Sequence, residues 1–539
     1  MSARASIRRM VNGAWISACS REQARFKAAL SRVADTQERY LLELLRRNAL
    51  TQFGETHGFA QIRSVAEYQE RVPITGYDAL GPHIEAIARG ESNVLTAEPV
   101  ELFQPTSGST AATKLIPWTA CVAAEFRRGI TPWVAALYRR KPSLLRGTAY
   151  WSVSPPASAR QTGGRLRVGF AHDADYLGFL GRKLFALVNA VPAEVADCRD
   201  MREFRTRTVV SLLADADLGL ISVWSPTFLI TLLEHFLTHR DEILERLRRD
   251  GGSSVKGRAE FIHAISSDGR DTAFFEEVWP DLQVISCWTH GPSEIYAQNL
   301  RRYFPTVEIQ GKGLIATEAF VSLPFQDGLD PVLAVTSHFF EFQHLDGETV
   351  SLAHELVDGH DYRVIVTTGG GLYRYPLGDR VRVTGSIQGA PCLRFLGREG
   401  NVSDLFGEKL QGSFVDSVVR RALAQQGVAP SFFLLAPTRP DVSKTGYALF
   451  LDAEGIPDAV RLARDLENGL AESFHYDHCR RLGQLSQVRV FQIDHGAVCP
   501  EAEFETEMLS RGFKAGDIKP APLDFRAGWE GRFRGRFVA

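Results

Sequence analysis

The chain has 539 residues, 44% hydrophobic and 23% charged, a mixture that excludes a disordered polymer and suits a globular protein. Sixty-two Lys and Arg against 64 Asp and Glu leave a formal charge of -2, so the basic surplus of a nucleic-acid or anionic-membrane binder is missing. The seven cysteines (Cys19, Cys121, Cys198, Cys287, Cys392, Cys479 and Cys499) contain no C-x-x-C, which argues against a disulfide framework or a structural zinc site and fits a reducing cytoplasm. The N-terminal apolar run is broken by Asn12, Gly13 and Ser17, and no run reaches the ~18 apolar residues of a membrane span.

In chain order, residues 21–53 read as one helix, with Leu41, Leu42, Leu44 and Leu45 among charges and Gly54 as the stop. Short helical pieces follow over 61–90, interrupted by Pro73, Gly76 and Pro82, and a longer helix over 119–141. Strand-like apolar runs at 149–154, 218–224, 282–288 and 306–317 then alternate with helices, including one over 227–249. That alternation predicts an α/β body with substantial parallel sheet. After about residue 331, short alternating segments separated by Gly and Asp predict antiparallel strands. From about residue 399, helices near 411–426 and 457–475 surround the strands FFLLAP, YALFLDA and QVRVFQID, a small α+β lobe whose boundary falls at Gly397–Gly400.

Three segments carry candidate chemistry. In TSGSTAATK, Thr106, Ser107, Gly108, Ser109 and Thr110 offer hydroxyls and close backbone N–H groups to a polyphosphate, and Lys114 adds mobile charge. This is no P-loop, because Leu115 follows the lysine; taken alone, the stretch also reads as a plain turn. In GLIATEAF, Thr317 and Glu318 end a strand-like run at the rim where α/β sheets gather ligands, and Glu318 suits Mg²⁺ on a phosphate or an ordinary strand-end position. In GGGLYRYPLGDRVRVTG, Asp379 can accept from two ribose hydroxyls or serve as a hairpin turn residue. Arg398 and Lys409 flank the lobe boundary, and Lys514 and Lys519 stand near the C-terminus. The spacing His354…Asp358 imitates an acyltransferase motif, but reads as scaffold.

The order of these segments resembles the adenylate-forming superfamily that includes acyl- and aryl-CoA synthetases and luciferase-like enzymes. TSGSTAATK resembles its phosphate loop, with Ala111 where Gly is frequent and Thr113 where Pro is common. Within that superfamily, residues 51–95, HELVDGHDYRVIVTTGGGLYRYPLGDRVRV at 354–383 and FLGREGNVSDLFGEKL at 395–410 resemble the Gretchen Hagen (auxin-responsive) acyl-acid amido synthetases, with a bacterial member expected. Leu314 stands where an aromatic residue often packs on adenine.

The resemblance implies an α/β fold with a large N-terminal adenylate-forming domain, 1–398, of mixed sheets, helices and a β-barrel-like part, and a small mobile α+β domain, 399–539. It implies ATP and Mg²⁺ as cofactors, a carboxylic acid and an amine, such as an amino acid, as substrates, and formation of acyl-AMP before the amide. Glu318 would carry the metal, Asp379 the ribose, and residues 106–110 with Lys114, Thr317, Arg398 and Lys409 the nucleotide. Lys519, with Lys514 as the neighbouring choice, would serve adenylation. A coenzyme A or carrier-protein thiol in place of the amine, or an inactive nucleotide-binding homologue, are the alternatives. No nucleic-acid or membrane partner is expected.

Overall fold

The computed structural model describes residues 3–105, 114–152, 166–169, 187–198, 200–250, 253–265, 274–345, 347–399, 402–441, 444–482, 484–496, 499–511, 513, 515–519 and 521–539. Residues 106–110 and Lys514, both singled out from the sequence, lie outside the described residues.

The single N-terminal helix expected over 21–53 is instead three, Ala3–Leu30, Val33–Arg47 and Gln52–Thr56. The first begins well before residue 21 because it packs along the helix Ala120–Arg140. Asn12, which interrupts the N-terminal apolar run, is buried and donates its amide to the carbonyl of Leu145 at 3.1 Å. The helix expected over 227–249 is likewise two, Pro226–Thr238 and Arg240–Asp250, meeting at His239.

The four predicted strand-like runs form one parallel sheet in the order Thr148–Trp151, Leu218–Ser222, Val284–Cys287, Glu308–Gly311. It is buried on both faces, as parallel sheets are. Ala149, Leu220 and Val284 join one hydrophobic core, shared with the N-terminal helices, whereas Tyr150, Ile221 and Ile285 join the other. The last run stops at Gly311, short of the expected residue 317. Gly313 then turns the chain at φ +84°, where an added Cβ would lie 2.4 Å from the carbonyl oxygen of Ser322. Only glycine meets both demands.

From residue 322 the chain enters a seven-stranded antiparallel sheet whose longest members are Tyr375–Ile387 and Ala390–Arg398. A further four-stranded sheet is built from Pro430–Asp441, Lys444–Ala453, Arg489–Ile493 and Gly535–Phe537. It is flanked by Gly412–Gln425, Ala459–Leu470 and Phe474–Arg481, so the helix expected to reach residue 475 ends at Leu470. Its apolar side chains are continuous with the core on the Tyr150–Ile285 face of the parallel sheet. Among the described residues no helix is long and apolar enough to cross a membrane.

Candidate active site

The C-terminal ends of the parallel strands, the first turn beyond them and two antiparallel strands converge at one place. Beyond Gly313 the chain folds into a tight hairpin: Ile315 bridges Phe320, and the Ala316 amide donates to the carbonyl of Ala319 at 2.9 Å. Thr317 and Glu318 occupy its tip, Thr317 half-buried and Glu318 only 2% exposed.

The hairpin is held from behind. His338 Nε2 accepts from the Phe320 amide at 3.0 Å, and the Ser337 hydroxyl donates to the Phe320 carbonyl at 2.9 Å. His338 Nδ1 lies 3.1 Å from Glu125 Oε2, whose other oxygen accepts from the Gly369 amide at 2.7 Å and from the Tyr40 hydroxyl. One buried carboxylate on the helix Ala120–Arg140 thus braces both the Glu318 hairpin and the glycine turn at Gly369–Gly371. Sequence reading missed this brace, because its members are far apart in the chain and unremarkable singly.

Asp379 and Arg398 are register partners on the adjoining strands Tyr375–Ile387 and Ala390–Arg398. Gly378 precedes Asp379 at φ +77° and accepts from the Glu399 amide at 2.6 Å, locking the strand ends together. Arg398 Nη2 approaches Glu318 Oε1 to 3.8 Å and donates to the Leu377 carbonyl at 3.3 Å.

Burial raises the carboxyl of Asp379 above its ordinary range, against the opposing pull of Arg398 and Lys519. Burial does the same to Glu318, aided by the charge of Asp379 and opposed by Arg398 and Lys519. For Arg398, burial works against the charge, but Asp379 and Glu318 outweigh it and raise its pKa. Two buried acids are therefore faced by two cations from other segments, Arg398 and the more exposed Lys519. Lys519 also lies over the ring of Trp288, 4.7 Å from its centroid.

Lys114 Nζ donates to the Tyr375 hydroxyl at 3.4 Å and sits 5.6 Å from the ring centroid of Tyr77. Burial, and then the nearby charge of Glu318, raise the Tyr375 phenol, so it stays protonated. Tyr375 was legible only as one of two tyrosines in an aromatic turn. The structure thus gathers Lys114, Glu318, Asp379, Arg398 and Lys519, with Thr317 adjoining. Lys409 is exposed at φ +46°, and among the described residues no hydrogen bond or ion pair ties it to this group. Leu314 is 8% exposed, packed in the core that includes Phe320 and Phe126. The His354 side chain is 39% exposed beside Glu355, which agrees with a scaffold role for that segment.

Glu318 Oε1 is buried and makes no hydrogen bond among the described residues. An oxygen-only donor of this kind suits a Mg²⁺ that takes one carboxylate and completes its shell with phosphates and water. The described residues contain no cluster of three or more His, Cys, Asp or Glu of metal-binding geometry.

Known proteins resemble this chain in sequence and in fold. Residues 22–309 match the GH3 family N-terminal domain, and residues 331–398 match the GH3 family central domain. The chain is 25% identical over 450 residues to indole-3-acetic acid-amido synthetase GH3.8 of Oryza sativa subsp. indica, spanning 75% of this chain and 73% of that protein. It is 23% identical over 547 residues to indole-3-acetic acid-amido synthetase GH3.4 of Arabidopsis thaliana, spanning 92% of this chain and 85% of that protein. Among solved structures, the AtGH3.15 acyl acid amido synthetase in complex with 2,4-DB shares the fold, with a TM-score of 0.80 at 19% identity over 95% of this chain and 94% of that one.

Proposed function

We propose that this chain, which belongs to the GH3 family, is a ligase that activates a carboxylic acid with ATP and passes the acyl group to an amine, with an amino acid as the acceptor class. The observation that carries the reading is the convergence of Arg398 and Lys519 on the buried carboxylates Glu318 and Asp379.

A carboxylate cannot be displaced by an amine directly, because its leaving group would be oxide. ATP removes that obstacle in two steps. A substrate carboxylate oxygen bonds to the α-phosphorus while the bond to pyrophosphate breaks, giving acyl-AMP. The amine nitrogen then bonds to the acyl carbon, the bond to AMP breaks, and the nitrogen loses a proton. The first step presses two anions together, so cancelling charge dominates its barrier. Arg398 and Lys519 supply positive charge, and Lys114, bonded to Tyr375, a third cation. Glu318 is the residue that would hold Mg²⁺, which when bound supplies charge neutralisation at the phosphates. Asp379 accepts from the ribose hydroxyls and fixes the α-phosphate in line. Thr317 and residues 106–110 complete the phosphate contacts. Such positioning contributes up to about 7–11 kcal/mol in favourable intramolecular cases.

In this reading residues 1–398 bind nucleotide and acid, and residues 399–539 form a smaller part that repositions between the two steps and brings Lys519 to the first. Its separate four-stranded sheet supports that division. Pyrophosphate release across a panel of carboxylic acids, followed by mass analysis of products formed with amino acids or with coenzyme A, tests the function. Acid-dependent pyrophosphate release with an amide product is expected. A thioester alone would reassign the acceptor, and ATP binding without turnover on any acid would overturn the reading.

A further inference from the structure

Lys312 is 3% exposed, the first residue beyond the sheet strand Glu308–Gly311, and the mechanism above does not use it. Its amide donates to the Cys287 carbonyl at 3.0 Å, which pins it at the C-terminal edge of the sheet. Among the described residues its Nζ has one hydrogen-bond partner, the Ser222 hydroxyl at 2.6 Å, and no acidic side chain pairs with it. Two indoles enclose it: Nζ lies 4.8 Å from the ring centroid of Trp133 and 5.3 Å from that of Trp224. Trp133 is itself fixed, donating Nε1 to Gln310 Oε1 at 2.9 Å.

A cation held this deep without an acid is costly unless its counter-charge arrives from outside. The surroundings contain further unused polar groups. Trp151, Ser222, Ser286 and Gln310 are register partners in one row across the sheet. In that row the buried Trp151 Nε1 and Ser286 Oγ have no hydrogen-bond partner among the described residues.

The place is continuous with the site of activation. Trp224 and Trp288 stand on neighbouring strand ends, joined by the Trp288 amide donating to the Trp224 carbonyl at 2.9 Å, with ring centroids 5.9 Å apart. Lys519 covers Trp288 and Lys312 covers Trp224. Two lysines thus bracket a pair of half-buried indoles, one at the phosphate end and one deep at the sheet edge.

We propose that Lys312 and Ser222, walled by Trp133 and Trp224, form a subsite for a second substrate carboxylate, one that does not undergo activation. This rests on the ligase reading above and adds a substrate class to it. The carboxylate is either the far end of a dicarboxylic acid whose near end is adenylated, or the carboxylate of the amino-acid acceptor. A ligand of the first kind would lay its hydrocarbon along the two indoles, whose faces suit an aliphatic chain or an aromatic ring.

The test compares octanoate with octanedioate in pyrophosphate exchange without amine, and an amino acid with its carboxamide in full turnover. Both are measured on the parent, K312M and K312R. In parallel, octanedioate and the amino acid are titrated against tryptophan fluorescence without ATP, a readout independent of catalysis. The parent is expected to prefer the extra carboxylate at least tenfold in kcat/KM in one of the two arms. K312M should collapse that ratio toward unity, and K312R should retain part of it. Loss in the exchange arm assigns the subsite to the acid, and loss in the turnover arm to the acceptor. Equal ratios in parent and K312M in both arms, with unchanged fluorescence titrations, would overturn the proposal. If K312M does not fold, S222A with the same ratios decides. A failure of exchange with every acid would count against the ligase reading, while a Lys312-dependent titration would still support the subsite.

Discussion

Asp379 and Arg398 face each other across the strands Tyr375–Ile387 and Ala390–Arg398, and Arg398 also reaches Glu318 Oε1 at 3.8 Å, so one guanidinium serves two buried acids. Replacing it with Met removes the larger of the two cationic influences, Arg398 and Lys519, that lower both carboxyls. Each would then ionise only at higher pH. The acid limb of the pH profile of ATP–pyrophosphate exchange should move to higher pH, and the rate at neutral pH should fall by about 10²–10³-fold. An unmoved limb would show that Arg398 does not govern the two acids.

The same burial predicts a conflict between stability and activity. Glu318 and Asp379 have raised folded-state pKa values. Their contribution to stability is therefore full below the ordinary carboxylate range and is lost as pH rises through the folded values. Glu318→Gln abolishes that loss. It should abolish exchange activity while raising the ligand-free melting temperature at pH 7 by roughly 1–2 °C, the response of a large chain to about 1 kcal/mol. The difference from the parent should vanish near pH 3. Differential scanning calorimetry at both pH values checks it.

Lys519→Ala should depress pyrophosphate exchange by about 10²–10³-fold, the usual loss for one charge-stabilising donor. Preformed acyl-AMP supplied with amine should still give amide at close to the parent rate. If exchange persists and Lys514→Ala abolishes it, the two lysines exchange roles.

His338 accepts from the Phe320 amide two residues after Glu318 and is itself braced by Glu125. His338→Ala leaves that buried amide unpaired, at a cost of about 1–3 kcal/mol. Urea denaturation should register that loss. Because the hairpin tip carries Glu318, kcat of adenylation should fall more than the affinity for ATP, measured by comparing exchange kinetics with nucleotide titration. A loss confined to stability would make His338 purely structural.

Burial lowers the Lys312 amine to about 7, with Cys287 the one titratable neighbour opposing the shift. The unfolded chain binds this proton up to the ordinary lysine range, near pH 10.4, so the group destabilises the fold below pH 7 and progressively less above it. K312M should therefore exceed the parent in stability at pH 6, and the gap should narrow steadily toward pH 10. Chemical denaturation of both proteins across that range measures the gap, and a constant difference would place the lysine in a charged pair.

Much of this was legible in the chain itself. The alternation of apolar runs foretold the four parallel strands, because periodicity and burial on both faces are local properties of each strand. Glu318, Asp379 and Arg398 stood out because each ends or begins a patterned segment and their order in the chain is distinctive. The break between the helices Pro226–Thr238 and Arg240–Asp250 did not, since no Gly or Pro marks it. The start of the N-terminal helix at Ala3 was not legible either, because it is held by packing on a distant helix and by Asn12 donating to a carbonyl of a distant segment.

By itself, then, the sequence determined the α/β architecture and the succession of chemistry-bearing segments, both written in short-range pattern. Tertiary structure alone decided which charges meet and how far each is from water. Lys312 and Lys409 are both single lysines beside glycine-containing turns, indistinguishable by pattern. One is enclosed by two indoles at the sheet edge and the other is exposed to solvent. Desolvation and the neighbouring field come from residues distant in the chain, such as Trp133 and Trp224 around Lys312, and local spacing does not encode them.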